Sequence, residues 1–214
     1  MSPPAQAAEL RRQQNRADAR RTILDATESL LAESGLGGFS MRGLVERCGY
    51  SAPTIYHYFG DKPGLIDAVL EERLEDLVAQ LERAPAKANP VAQARALCLD
   101  FARWGIRNPT HYYLMNQPKA HELPPDSAHQ KAVDLMSKPL NALIQSGQIS
   151  EVRLELIRQS LWACLHGLIS LPAVQPDFDW NPNLLEASVD VLLAGWLAEF
   201  LPSLEFGGGN NVES

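Results

Sequence analysis

The sequence predicts an all-α fold, in which a short N-terminal module of three helices is followed by a larger helical body. Apolar residues recur along the chain at the spacing of one helix face, and no segment shows the sustained alternation typical of strands. Gly and Pro clusters separate these stretches where helix ends are expected. The 214 residues are 45% apolar and 21% charged, which is close to the globular average. We therefore expect a folded, wholly helical protein.

The module is expected to occupy residues 17–64. Each of its helices has a capping residue before it and a glycine or an aromatic end after it. Pro53 falls in the first turn of the third helix, where its missing N–H has no intrahelical partner anyway. The expected bounds are Asp18 to Gly35, Ser40 to Gly49, and Ser51 through Tyr56.

The body is expected to occupy residues 65–202. It begins with a long fourth helix, whose apolar stripe covers residues 65–81, and a linker follows at 84–90. Five more helices are expected at about 90–107, 110–117, 126–146, 150–171 and 183–201. Pro139 should kink or split the third of these. The polar residues 1–16 and 203–214 are expected to form a disordered arm and a disordered tail.

Charge and cysteine usage limit the classes of function. Residues 1–62 carry a net charge of +1 and residues 63–214 carry −8, so any nucleic-acid binding must be local to the front module. Cys48, Cys98 and Cys164 are far apart, which supports neither a disulfide framework nor a thiol-rich zinc site. No stretch resembles a signal-peptide core or approaches the roughly 20 apolar residues of a membrane span. We expect a cytoplasmic protein.

The most informative segment is residues 40–62, SMRGLVERCGYSAPTIYHYFGDK. A short helix, a glycine-containing turn and a second short helix form the helix-turn-helix plan, in which the second helix enters the DNA major groove. Its outward side chains are small, hydroxyl-bearing or aromatic and suit recognition better than core packing. Tyr58 and Phe59, at the helix end, are expected to close the core of the module.

This segment resembles the TetR family of one-component transcriptional regulators. The resemblance covers about residues 20–70 and rests on ILDATESLLAESG and FSMRGLVERCGYSAPTIYHYFGDKPGLIDAVL, with Tyr56, Tyr58, Phe59, Lys62 and Leu65 at the family's motif positions. The family often has a glycine or a basic residue near Pro53 and Thr54, so the different residues here leave the operator sequence open. The resemblance implies DNA contacts at Ser40, Arg42, Ser51, Ala52, Pro53, Thr54, Tyr56, His57 and Lys62.

Arginines are concentrated at the start of the chain, at Arg11, Arg12, Arg16, Arg20 and Arg21. Such a cluster can add phosphate or minor-groove contacts to a DNA-binding module. It is equally typical of a solubilising arm. The sequence leaves both interpretations open.

The body carries residue types that suit a small-molecule pocket, which is mainly apolar with a few convergent polar groups. Two stretches, FARWGIRNPTHYYLM and LWACLHGLISL, resemble one C-terminal class of TetR regulators. The expected effector-binding residues are Trp104, Arg107, Tyr112, Tyr113, Met115, Trp162 and His166. Aromatic residues at helical spacing are also typical of a core, so this alternative stays open. Neither a cofactor nor a metal ion is expected.

The last two helices are apolar over more than one stripe, and a single core does not easily cover both faces. We therefore expect a C2 homodimer in which these helices pair as a four-helix bundle. Gly167 and Gly195 would permit close approach of the helices. The resemblance implies the same arrangement.

Taken as a whole, the sequence predicts a ligand-responsive transcriptional regulator, a repressor released from a palindromic DNA operator by a small molecule. Activation uses the same docking and cannot be separated from repression by sequence. The alternative is an all-helical small-molecule-binding protein or enzyme whose front module no longer binds DNA. Because the chain contains no nucleophile-elbow, phosphate-loop or zinc-protease motif, an enzyme is not expected.

Overall fold

The computed structural model describes residues 3–117 and 122–197. Within these ranges the chain forms helices and no strand, which confirms the predicted all-α class. The helices are α1 (Pro3–Gly38), α2 (Met41–Cys48), α3 (Ala52–Phe59), α4 (Lys62–Glu82), α5 (Pro90–Arg107), α6 (Pro109–Met115), α7 (Ala128–Gln145), α8 (Glu151–Val174) and α9 (Leu184–Leu197).

The short helices begin where the sequence predicts, because side-chain oxygens satisfy backbone N–H groups that have no intrahelical partner. Ser40 caps α2 by accepting the N–H of Gly43, and Ser51 caps α3 in the same way. Gly49 ends α2 with a φ of 75°, a left-handed conformation that glycine adopts without a steric penalty. Asp61 caps α4, so the turn between α3 and α4 is only two residues long.

A set of fully buried side chains joins the first four helices. Ile23 and Leu24 of α1 pack with Leu44 of α2, Ile55 of α3 and Leu65 of α4. Leu114 of α6 lies in the same cluster, and Tyr58 and Phe59 of α3 pack against it. The predicted core role of the two aromatic residues is therefore confirmed, and α3 is anchored to its neighbours along one side.

The first helix begins much earlier than predicted. Residues 3–16 continue α1 instead of forming a disordered arm, and Asp18 lies inside the helix rather than at its N-cap. The segment is rich in Ala, Gln, Leu and Arg, which all favour helix, and Gln13 and Gln14 donate to Glu9 and Asp18 one turn away. Gly35 interrupts the helix with a φ of 65°, close to its predicted end. The expected tail at 203–214 lies outside the described residues.

The chain divides into two compact units. The first contains Met1–Arg83 and Trp104–Leu135, and the second contains Ala84–Arg103 and Met136–Ser214. In the second unit α8 packs along α9, and buried apolar residues come from α5, α7, α8 and α9. The two units are defined by how the helices pack. The boundary expected after residue 64, between the DNA-binding module and the body, stays a prediction.

Helix α7 continues through Pro139, so the proline does not split it; a kink, the other expected outcome, stays a prediction. A proline removes one backbone hydrogen bond from the preceding turn, but Leu140 and Leu143 directly after it are buried and hold the helix in the core. The other predicted helices of the body match the structure within a few residues at each described end. None of the helices in the described ranges is both long and apolar enough to cross a membrane.

Candidate DNA-binding surface and effector site

Helix α3 has one buried side and one exposed side. Ile55 is fully buried, whereas the adjoining Tyr56 is 41% exposed and His57 is also exposed. Ala52 and Thr54 are half-buried, and Pro53 is exposed in the first turn. A helix of this kind fits the DNA major groove, which is about 12 Å wide. The residues predicted for base reading thus share an accessible helix.

The hydroxyl groups predicted for phosphate contact also hold the helix starts. Ser40 Oγ lies 3.1 Å from the N–H nitrogen of Gly43. Ser51 Oγ lies 3.3 Å from the N–H nitrogen of Thr54 and 2.9 Å from the Thr54 hydroxyl. Because each cap uses the oxygen as an acceptor, the hydroxyl proton can donate to a phosphate oxygen.

Arg42 is well placed to exchange partners. Its guanidinium donates to Glu46 over 2.9 Å, one turn away on α2, and its side chain is 89% exposed. An exposed pair of this kind contributes about 0 to 1 kcal/mol. A phosphate therefore competes easily with Glu46 for this guanidinium.

Lys62, at the first residue of α4, has an internal partner that the sequence did not suggest. Its ammonium donates to the Phe39 carbonyl oxygen over 3.0 Å and lies 5.0 Å from the centre of the Phe39 ring. The side chain thus fastens the connection between α1 and α2 to the start of α4. An ammonium has three donors, so a phosphate contact by Lys62 stays a prediction beside this observed structural role.

A charged cluster that sequence analysis missed links α1, α4 and α6. Arg73 donates to both carboxylate oxygens of Glu28, each over 2.7 Å, and this pairing lowers the pKa of Glu28. His111 Nε2 lies 3.2 Å from a Glu28 oxygen without hydrogen-bond alignment. Burial lowers the pKa of His111. The three residues carry no motif, and only their packing brings them together.

The predicted effector residues of the first unit differ widely in accessibility. Trp104 and Tyr112 are buried, and burial raises the pKa of Tyr112 to about 12. Arg107 is exposed and donates to Gln80 over 3.0 Å. Tyr113 is exposed and Met115 is half-buried. Tyr113 is therefore the aromatic residue of this set that presents most surface to a ligand.

In the second unit, Trp162 is 59% exposed and stacks on His166 with ring centroids 5.8 Å apart.

The same unit has an open apolar groove of about 710 Å³, which none of the seven predicted effector residues lines. In the described part of the chain, no group of three or more His, Cys, Asp or Glu residues is placed to hold a metal ion. The groove is lined by Cys164, Ala187, Ser188, Val191, Leu192, Gly195 and Trp196.

Comparison with known proteins decides the family. Residues 23–69 match the model of bacterial regulatory proteins of the tetR family, and residues 94–195 match that of the tetracyclin repressor-like C-terminal domain. The chain belongs to the TetR family. The first match contains the helix-turn-helix described above, and the second contains the helices of the body from within α5 to α9. Membership in this family of regulators agrees with the prediction that the chain is not an enzyme.

Individual TetR-type relatives support the assignment. The HTH-type transcriptional regulator BetI of Paraburkholderia phymatum is 39% identical over 80 residues, which are 36% of this chain and 41% of that protein. The chain thus spans about two fifths of the first relatives that it matches. BetI of Cronobacter sakazakii is 29% identical over 71% of this chain and 74% of its own length.

The fold of the TetR chain is also found among solved structures. A protein of unknown function from Rhodococcus sp. RHA1 superposes with a TM-score of 0.68 and 26% sequence identity, covering 84% of this chain and 95% of that chain. The likeness therefore extends over both the front module and the body.

Proposed function

We propose that the protein is a ligand-responsive transcriptional regulator, a repressor that leaves a palindromic DNA operator when a small molecule binds. The observation that carries this proposal is α3, which is anchored by Ile55 on one side and presents Tyr56 and His57 on the other. The helix lies inside the segment that matches the tetR-family regulators. The competing function, a binder or enzyme without DNA affinity, leaves this exposed helix without a role.

In the proposed complex, α3 enters the major groove and α2 lies across the phosphate backbone. Thr54, Tyr56 and His57 read base edges or adjoining phosphates, and Ala52 and Pro53 contact thymine methyl groups. The phosphate contacts come from the hydroxyl groups of Ser40 and Ser51 at the helix starts, from the exposed Arg42 and from the half-buried Lys62.

The exposed apolar groove on α8 and α9 supports a homodimer. Val191, which lines the groove, is 72% exposed, and a Cβ at the exposed Gly195 would meet nothing within 4 Å beyond the local helix backbone. A partner helix can therefore approach closely, and α8 and α9 of two chains would form a four-helix bundle. Two-fold symmetry would place the recognition helices about 34 Å apart or a multiple of that distance, as a palindromic operator requires.

Signalling would run through α6. This helix presents Tyr113 to solvent and packs Leu114 and His111 toward α1 and α4. An effector that contacts α6 and prefers the DNA-incompetent arrangement would lower DNA affinity, with a typical coupling of about 1 to 3 kcal/mol. The residues proposed for effector binding are Trp104, Arg107, Tyr112, Tyr113, Met115, Trp162 and His166.

The proposed DNA binding is tested by selection from a random duplex library with the full-length protein. The expected product is a palindromic consensus, bound more weakly by Tyr56→Ala because an exposed recognition side chain is removed. The matched control is Phe178→Ala, which removes another exposed aromatic ring, in the loop after α8. Failure to enrich any sequence over the starting library would refute the DNA-binding function.

The proposed release by a small molecule needs a separate experiment. Compounds that raise the thermal unfolding temperature of the protein are titrated with and without the selected operator. By thermodynamic reciprocity, operator DNA should weaken effector binding by the same factor as effector weakens DNA binding. Equal effector affinity with and without operator DNA would refute ligand-induced release.

A further inference from the structure

The arginines of α1 fall into two groups that differ in their partners. Arg20 and Arg21 pair with Glu72 of α4, at 3.0 and 3.3 Å. Arg11, Arg12 and Arg16 are exposed, and within residues 3–117 and 122–197 none of the three has an ion-pair partner. The first group is neutralised by the fold, whereas the second leaves its charge available.

Arg12 and Arg16 continue the row of α1 that carries Arg20, which lies beside the last residue of α3. Residues four apart share a helix face, so Arg12, Arg16 and Arg20 form one stripe. The guanidinium of Arg20 lies 5.6 Å from the centre of the Phe59 ring, and Phe59 is the last residue of α3. At about 1.5 Å per residue, Arg16 and Arg12 lie about 6 and 12 Å further along the helix axis. The stripe therefore extends along α1 for about 12 Å from a point beside the last residue of α3.

The acidic side chains of the same segment leave this stripe positive. Asp18 accepts a hydrogen bond from Gln14 and projects from nearly the opposite side of the helix, about 160° from Arg16. Glu9 accepts from Gln13 and marks the end of the stripe, three residues before Arg12. Because α1 is helical here, the two guanidinium groups are carried on an ordered element instead of a disordered arm.

We propose that Arg12 and Arg16 bind backbone phosphates of duplex DNA that flanks the half-site read by α3. The proposal rests on the proposed DNA-binding function and extends its footprint. A guanidinium matches the geometry of phosphate oxygens and forms two parallel hydrogen bonds with them. Such bonds to phosphate fix the position of the protein on the duplex and carry no sequence information.

The test uses the full-length protein and the selected operator with about 12 flanking base pairs of random sequence on each side. The affinity of Arg12→Ala/Arg16→Ala is measured by fluorescence anisotropy across a salt series. Removing one phosphate-binding arginine should shallow the dependence of log K on log salt by about 0.9, so removing both should change the slope by about 1.8 per protomer. Alanine favours helix, and circular dichroism checks that α1 stays folded.

Two comparisons make the result specific. The control Arg83→Ala/Lys87→Ala removes the same charge from exposed positions outside α1 and should leave the salt dependence unchanged. On an operator trimmed of its flanks, wild type and Arg12→Ala/Arg16→Ala should bind equally.

Two results would overturn the inference: an unchanged salt slope on the flanked operator, or a defect of the same size in the charge-matched control. A wild-type protein that binds no selected duplex would instead refute the proposed function itself, so the two failures are distinguishable.

Discussion

Replacing Arg73 with leucine should destabilise the first unit, because Arg73 is the main partner of a half-buried carboxylate. The guanidinium makes two hydrogen bonds of 2.7 Å to Glu28, whose side chain is only 26% exposed. Without Arg73, Glu28 keeps the buried His111 beside it, and the burial of that ring disfavours its charged form. The carboxylate would therefore remain in a poorly solvated site without a cation.

The magnitude follows from the geometry of the pair. Hydrogen bonds to charged groups contribute about 1.5 to 3 kcal/mol each when buried, but Arg73 is 36% exposed, and solvent screens such pairs strongly. We therefore expect the substitution to lower the free energy of unfolding by about 2 kcal/mol for the pair as a whole. In a chain of this size that corresponds to a fall in Tm of about 4 to 8 °C.

The assay is thermal unfolding followed by circular dichroism at about pH 7.5, with Arg158→Leu as the matched control. Arg158 makes a longer contact of 3.7 Å to Glu155 on the same helix, and both side chains are well exposed. The control should lower Tm by no more than about 2 to 4 °C, since exposed pairs contribute about 0 to 1 kcal/mol. If the Tm of Arg73→Leu lies within about 1 °C of the wild-type Tm, the pairing of Arg73 with Glu28 does not stabilise the packing of α1, α4 and α6.

Three further changes probe other parts of the molecule. Wild type should lose stability as pH falls below about 6.5, because the lowered pKa of His111 in the folded protein means that this imidazole is protonated first in the unfolded chain. His111→Gln should remove that loss, and urea midpoints that fall equally in both proteins between about pH 7.5 and 5.5 would contradict this. Gly64→Ala would place a Cβ against the Phe59 carbonyl oxygen and should lower the free energy of unfolding by about 1 to 3 kcal/mol. An unchanged thermal midpoint, with the exposed Gly37→Ala as control, would refute the clash. Val191→Glu should give a folded monomer in analytical ultracentrifugation, since the new carboxylate is solvated in a single chain but would be buried without a partner in the dimer. A stable dimer would exclude the face formed by α8 and α9 as the interface.

Local signals were sufficient for the starts of α2 and α3 and for the turn between them. Ser40, Gly49 and Ser51 act as caps where their chemistry predicts, because a cap is made between residues three or four apart in the chain. The helix-turn-helix plan and its family resemblance depend on the same short-range pattern. Helical periodicity was likewise enough for the all-α class and for the approximate bounds of α4 to α9.

The error at the N-terminus has a local cause as well. Residues 3–16 are polar, which suggested disorder, but their composition also favours helix and their amides bond to carboxylates one turn away. Polarity alone does not separate a disordered arm from an exposed helix that continues a packed one. Residues 3–16 form an exposed helix because they continue the buried part of α1 around Ile23 and Thr27.

Tertiary structure alone decided the partners of Lys62, Arg73 and Arg20 on other parts of the chain. Lys62 reaches the carbonyl of Phe39, Arg73 reaches Glu28, and Arg20 reaches Glu72, across 23, 45 and 52 positions of sequence. Each of these side chains is long, flexible and exposed in part, so its sequence neighbours carry no information about its partner. The separation of the α1 arginines into neutralised and available groups therefore arises only when α4 packs against α1, since that packing brings Glu72 within reach of two of them and leaves Arg12 and Arg16 beyond it.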